Sequence, residues 1–227
     1  MARARTLAQI RTTARQRSDR TNDDTISGFV GNVELNEYIN ASYAWFYATL
    51  VKSGFIFFES IQTIVTAGVE NVAVSADYFA TIGVDWKLDA SSWVGVPEAM
   101  IQERNLYPAT GSRALAYRLS GNNLKLLPVP PSGQTYRHIY VPTCPVLVLD
   151  SDTVDGMMGW EELLIEDVAR KIKVKEGSDV GAHERAIAVM LRRIEDESQL
   201  RAINQPRRVI DIYEDNLYDP SDWRWWE

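Results

Sequence analysis

Three side chains in this 227-residue sequence could carry nucleophilic or acid–base chemistry: Cys144, His138 and His183. Nucleophilic catalysis needs a nucleophile beside a base that a third group orients. Cys144 stands between Pro142 and Pro145 near the end of a predicted strand, with only the two histidines available to serve it. His138 falls at strand period and reads as a satisfied surface or half-buried residue. One cysteine and two distant histidines match no zinc-ligand spacing. No G-x-S-x-G, Walker A or Rossmann glycine pattern occurs, so phosphate cradles and nucleophile elbows are missing. The acids Asp150, Asp152 and Asp155, with Gly156 and Glu161, partly match a calcium loop. An EF-hand would need an acid or Asn at the fifth position and Gly at the sixth, where Val154 and Asp155 stand. Acids ahead of a helix are better explained by its exposed N–H groups and positive dipole end. Neither a metal nor a cofactor is expected.

The elements around these residues alternate between helical and strand periods. Residues 4–18 form a basic amphipathic pattern with Leu7, Ile10 and Ala14 on one face. A second helix is predicted over about 33–52, capped by Asn32, with Leu35, Ile39, Ser42, Phe46 and Leu50 at spacings of three and four. Phe55 to Thr66 and Val69 to Val74 read as a hairpin around Gly68, followed by a strand at Ile82 to Leu88. Trp93 to Asn105 reads as a short helix entered through Pro97. Tyr117 to Leu149 reads as a three-stranded antiparallel meander. Gly121-Asn122-Asn123 makes its first turn, and Pro128, Pro130, Pro131 and Gly133 shape a projecting loop. Two helices follow, about 159–175 and 180–203, separated by Gly177 and capped by Ser178 or Asp179. Ala186, Val189, Met190 and Ile194 mark the buried face of the last. Pro206 ends helical structure, and Val209 to Tyr213 reads as a short strand.

The predicted class is α+β. A helical pair (1–53) and a second pair (150–204) form one bundle of about four helices. An antiparallel β insert (54–149) sits between them, and an extended C-terminal arm (205–227) follows. Apolar residues make up 45% and charged residues 24%, as in an ordinary globular chain. A net charge of −7 argues against a general nucleic-acid binder. No apolar run approaches a membrane span, and the basic N-terminus lacks the apolar core of a signal peptide. The expected setting is therefore the cytoplasm, or an assembly made there. Arginines 3, 5, 11, 15, 17 and 20 crowd the first twenty residues, whereas acids dominate 211–227. Such ends either steer segments together or remain two solvated termini.

Two features point to partners. The second helix carries Tyr38, Tyr43, Trp45, Phe46 and Tyr47, aromatic nearly all round, as in a helix packed on several sides. Tyr38, Trp45, Phe46 and Tyr47 are its candidates for a subunit interface, with deep burial in its own domain as the alternative. The arm ends in Trp223, Trp225 and Trp226, joined upstream by Tyr213 and Tyr218. Tryptophan and tyrosine are common interface anchors, so the arm either docks on a partner or folds back on its own domain.

The order and spacing of several stretches resemble the head-to-tail adaptor (connector or head-completion) proteins of tailed bacteriophages. They are RQRSDR and ELNEYINASYAWFYATLV near the N-terminus, then ADYFATIGVDWKL, ERN at 103–105 and YRLSGNNLKLLPVPPSGQTYRHIYVP. DSDTVDGMMGWEELLIEDVARKIKVKEGSDV, MLRRIEDE and PRRVIDI complete the likeness. It does not extend to the WRWWE ending, whose docking role rests on composition alone. The resemblance implies a non-enzymatic virion component at the neck, assembled in the host cytoplasm. Such proteins form a dodecameric ring beneath the portal, continue the DNA channel without sequence-specific binding, and give a tail, tail-hub or nozzle protein its platform. Arg207, Arg208, Tyr213, Tyr218, Trp223, Trp225 and Trp226 are the candidates for contact with the portal or a neighbour. The alternatives are a tail-completion or baseplate protein, and a small cytoplasmic hydrolase using Cys144 or a histidine.

Overall fold

A computed structural model describes residues 4–20, 29–54, 58–154 and 159–202. Four helices and nine strands are found among them: α1 (Leu7–Arg17), α2 (Asn32–Lys52), α3 (Glu161–Glu176) and α4 (Gly181–Ala202) make the helical half. The strands are β1 (Arg5–Thr6), β2 (Ser60–Val65), β3 (Asn71–Ala73), β4 (Tyr78–Lys87), β5 (Trp93–Val96), β6 (Ala116–Ser120), β7 (Asn123–Leu127), β8 (Thr135–Pro142) and β9 (Thr153–Val154). The mixed α+β class expected from the sequence holds, with the helices forming a bundle and every strand pair antiparallel. The arm at 205–227 lies outside the described residues.

Helix α3 is the centre of the bundle and packs on each of the other three. Leu163, Leu164, Ile165, Val168, Ala169 and Ile172 are all buried, a stripe far wider than one helical face. A helix with neighbours on three sides needs that width. Leu7, Ile10 and Ala14 from α1, Leu35, Ile39, Phe46 and Leu50 from α2, and Ile194 from α4 complete the core. Each fully buried aliphatic side chain contributes about 1.5–3 kcal/mol. Ile194 and Met190 face the core as expected and Ile187 and Leu191 join them, whereas Val189, also expected inside, is exposed.

The helix ends show why the sequence folds this way locally. Thr6 and Gln9 form a capping box on α1, with Thr6 Oγ1 accepting from Gln9 N at 3.2 Å and Gln9 Oε1 accepting from Thr6 N at 3.0 Å. The next free amides, Leu7 N and Ala8 N, donate to the carbonyls of Asp152 (2.8 Å) and Asp150 (3.3 Å). The acidic loop thus serves the start of α1 with its backbone, while β1 pairs with β9 beside it. Gly177 ends α3 at φ 74°, a left-handed position that suits glycine. Asp179 Oδ1 then accepts from Gly181 N at 3.0 Å and starts α4.

Two predicted β connections are corrected. Four strands form one sheet in the order β2-β8-β4-β5, and three form another in the order β3-β7-β6. The meander therefore breaks after its first hairpin: β6 and β7 pair, but β8 enters the other sheet between β2 and β4. Pro128, Pro130 and Pro131 cannot donate ladder hydrogen bonds, and the free edge of β7 is taken by β3 through Asn71↔Lys125. Residues 66–74 likewise bridge two sheets, so β2 and β3 are not a hairpin. The proline loop does not project along its length, because Pro128 and Pro130 are buried. Thr66 fastens it, donating through Oγ1 to Pro131 O at 2.6 Å and accepting at its carbonyl from Gly133 N at 2.8 Å. Finally, Trp93–Val96 is a strand rather than the opening of a helix, as its alternating β-branched residues suit. Only Ile101–Asn105 turns helically, as a 3₁₀ segment.

The two sheets share a core of Ile64, Val84, Val96, Ala114, Tyr117, Leu124, Leu126 and Tyr136. They meet the bundle through Tyr47, whose ring lies 4.3 Å from that of Phe58 and whose hydroxyl donates to Pro142 O at 2.8 Å.

Candidate interaction surfaces

Arginines of the N-terminal segment are spent inside the chain. Arg5 Nη2 donates to Glu162 Oε1 at 2.6 Å, Arg17 pairs with Glu162 and Glu166, and Arg20 Nη2 reaches Glu176 Oε1 at 2.5 Å. Arg11 holds Asn36 Oδ1 (2.6 Å) and Asp150 Oδ1 (2.7 Å), while Arg15 Nη2 donates to Val30 O and Asn32 Oδ1. These contacts run from α1 to α3, to the start of α2 and to the loop before β9. Asp150 is thereby a partner of Arg11, and Asp152 Oδ2 accepts from Val148 N and Leu149 N at 2.7 and 2.8 Å. Asp150 and Asp152 of the suspected calcium loop thus already have structural work, and Glu161 is fully buried with Arg5 Nε 3.5 Å from its Oε1. No group of three or more metal-ligating side chains is found among the described residues.

A second polar cluster joins α2 to α3. Ser42 Oγ, fully buried, donates to Asp167 Oδ2 at 2.7 Å and accepts from Lys171 Nζ at 2.7 Å. Arg170 Nη2 and Lys171 Nζ lie 2.7 and 3.1 Å from the Asp167 carboxylate. Burial raises the pKa of that carboxyl, but the hydrogen bonds from Ser42, Arg170 and Lys171 outweigh it and the net shift is downward. One and two turns toward the start of α2, Tyr38 OH donates to Glu34 Oε1 at 2.6 Å and Glu34 Oε2 meets Lys175 Nζ at 2.6 Å. That bond to Glu34 holds the Tyr38 phenol proton and pushes its pKa up to about 12.

The aromatic residues of α2 divide in two. Phe46 is 1% exposed and Tyr47 2%, so their surface is already used within this chain. Phe46 lies in the bundle core and Tyr47 where the bundle meets the sheets. Trp45 is 39% exposed on the opposite side, along with Val33, Ala41 and Ala44. Tyr38 is half-buried beside the Glu34–Lys175 pair. A further apolar ridge lies at 146–149. Asn40 on α2 clamps the Leu147 backbone (Leu147 N to Oδ1 2.8 Å, Nδ2 to Leu147 O 3.0 Å), leaving Val146, Val148 and Leu149 exposed. The alternation Val146-x-Val148 was its only signal, and it reads equally well as the end of a strand.

The reactive candidates do not converge. Cys144 Sγ lies 3.7 Å from Pro145 O, and burial raises its thiol pKa to about 12, away from a thiolate nucleophile. His183 on α4 has Nδ1 2.7 Å from Glu166 Oε2. His138 on β8 is fully buried, not half-buried, with Nε2 2.9 Å from Thr81 Oγ1 and its ring stacked on Tyr140. Burial lowers the His138 pKa below its usual 6.5. The folded state therefore resists the proton that the unfolded chain accepts. Stability from this site is full above pH 6.5 and is lost as pH falls below it, at up to about 1.4 kcal/mol per pH unit. Urea unfolding between pH 7.5 and 5.0 should show that decline, and His138→Gln should remove it.

The described residues are braced by ion pairs within the chain, and comparison with known proteins gives its family. A family model described as SU10 adaptor protein matches residues 5–210.

The chain belongs to the SU10 adaptor protein family.

It is accordingly a phage structural adaptor and a virion component. No curated protein matches the sequence. The family match covers both helical pairs and both sheets of the adaptor, and it includes Arg207 and Arg208. It stops before Tyr213, Tyr218, Trp223, Trp225 and Trp226, and all seven of these candidate contact residues lie outside the described residues. No described helix of the adaptor is long and apolar enough to cross a membrane.

Proposed function

We propose that this adaptor joins the head to the tail: twelve copies form a ring beneath the portal, continue its DNA channel and present a platform for a tail or nozzle protein. The observation that carries the reading is the family match over residues 5–210. The bundle suits such a load, because partly buried ion pairs and the Asp167 cluster fix its helices against one another. The chain's charge of −7 suits a channel too, since acidic walls repel DNA phosphates and let the duplex slide.

Within the ring, Trp45 and Tyr38 with the 146–149 ridge face a neighbouring subunit. Arg207, Arg208 and the aromatic arm reach the portal or a neighbour. An exposed tryptophan is a common energetic anchor of an interface. Trp45→Arg should therefore abolish ring assembly while leaving the unfolding free energy within about 0.5 kcal/mol of wild type. Native mass spectrometry beside urea unfolding reads both quantities. A ring that persists in this variant would remove α2 from the subunit contact.

A further inference from the structure

Two helices of the bundle present outward stripes of nearly the same spacing. On α2, Glu37, Ala41, Ala44, Trp45 and Lys52 are exposed, on the side away from Leu35, Ile39 and Phe46. On α4, Arg185, Ala188, Val189, Arg192 and Asp196 are exposed, on the side away from Met190 and Ile194. Val189 is 69% exposed, although it is a large apolar residue. Many other bundle charges are paired within the chain: Arg5, Arg17 and Arg20 with acids of α3, and Glu34 with Lys175. Glu37, Lys52, Arg185, Arg192 and Asp196 have no ion-pair partner among the described residues. Unpaired charge and exposed apolar surface therefore fall on the same two stripes.

Both helices run against α3. The Glu34–Lys175 and Ser42–Asp167 contacts set α2 antiparallel to it. The His183–Glu166 contact, and the groove that Met190 and Ile194 share with Trp160 and Leu163, do the same for α4. α2 and α4 are therefore parallel to one another, with Trp45 and Val189 at nearly the same level along α3. When the two stripes are laid in parallel with Trp45 level with Val189, they are complementary. Lys52 then stands level with Asp196, and Glu37 level with Gly181. The Arg185 guanidinium reaches back to that level, its Nε donating to Gly181 O at 3.0 Å. Ala44 faces Ala188, and Trp45 lies between Arg185 and Arg192, whose guanidinium groups suit the face of an indole. Laid antiparallel, the stripes would set Lys52 against Arg185 and Glu37 against Asp196, like charge against like.

We infer that the outer stripe of α2 in one copy of the chain packs, in parallel, on the outer stripe of α4 in the next copy. The inference rests on the ring proposed above and names the surface that Trp45 meets there. Because the two stripes differ, each copy offers one to each neighbour, and the contact repeats from copy to copy until the ring closes.

Charge reversal on the full chain tests it, read by native mass spectrometry of the protein alone and with purified portal. Glu37→Arg and Arg185→Glu should each weaken association between copies at least about tenfold, because like charges then meet at every contact. The chain with both substitutions should assemble as wild type does. In a Cys144→Ser background, chains bearing Ala44→Cys and chains bearing Ala188→Cys should be joined by a short bis-maleimide when mixed, and neither should be joined to its own kind. A ring that forms equally well in wild type and both single variants, with no joining in the mixture, would overturn the helix pairing and leave the ring standing. So would a double variant that assembles no better than the single ones. Joining of Ala44→Cys chains to one another would set α2 on α2 and overturn the pairing too. Wild type that stays monomeric with and without portal would overturn the ring and the pairing together.

Discussion

Asp167→Ala is expected to lower the unfolding free energy by about 3 kcal/mol, the largest stability loss from any single polar change in the bundle. The carboxylate is 7% exposed and is the common acceptor for Ser42, Arg170 and Lys171. Its removal leaves the Ser42 hydroxyl buried and Lys171 without its counter-ion. Both cations are partly exposed and can turn to water, which keeps the loss below that of a fully buried ion pair. Asp167→Asn keeps an acceptor for Ser42 and should cost less. The sign of the pH effect follows from the lowered pKa. Its contribution is present above the unfolded carboxyl value of about 3.9 and disappears as pH falls through the folded value. Urea unfolding of the three proteins at pH 7 measures the order, and equal midpoints would show that α2 and α3 are held by apolar packing alone.

Removal of residues 207–227 is expected to weaken association with the portal at least about 100-fold, since tryptophan and arginine anchors each commonly contribute 2 kcal/mol or more at an interface. Those residues hold Arg207, Arg208, Tyr213, Tyr218, Trp223, Trp225 and Trp226. All the described helices and strands lie within residues 4–202, so the truncated chain should fold and keep its helical content. Co-sedimentation of wild type and truncation with purified portal reads the difference. Unchanged co-assembly would remove the arm from the contact.

The helices were legible because their signals are local. Leu35, Ile39, Phe46 and Leu50 repeat at helical period, and Gly177 and Asp179 punctuate α3 and α4 where expected. Most of the longer strands were legible for the same reason, although β5 read as the start of a helix, and strand partnership was not legible. Tyr136, His138 and Tyr140 show that one face of β8 is buried, yet not whether β7 or β2 and β4 will lie beside it. That choice is made by long-range competition for edges. Arginine crowding near the N-terminus showed charge without showing its partners. The acids that answer Arg5, Arg17 and Arg20 lie on α3, more than 140 residues away, at spacings meaningful only once the helices are paired. At the candidate surfaces, aromatic composition pointed to α2, but only folding separated exposed Trp45 from buried Phe46 and Tyr47. The 146–149 ridge was missed because its exposure depends on Asn40, distant in sequence.

The mass and symmetry of the purified protein, alone and mixed with its portal, test the head-to-tail reading most directly. Native mass spectrometry with single-particle imaging should find a twelvefold ring seated on the portal. A monomer or small oligomer that leaves the portal bare, or a ring that binds a tail component and not the portal, would contradict it.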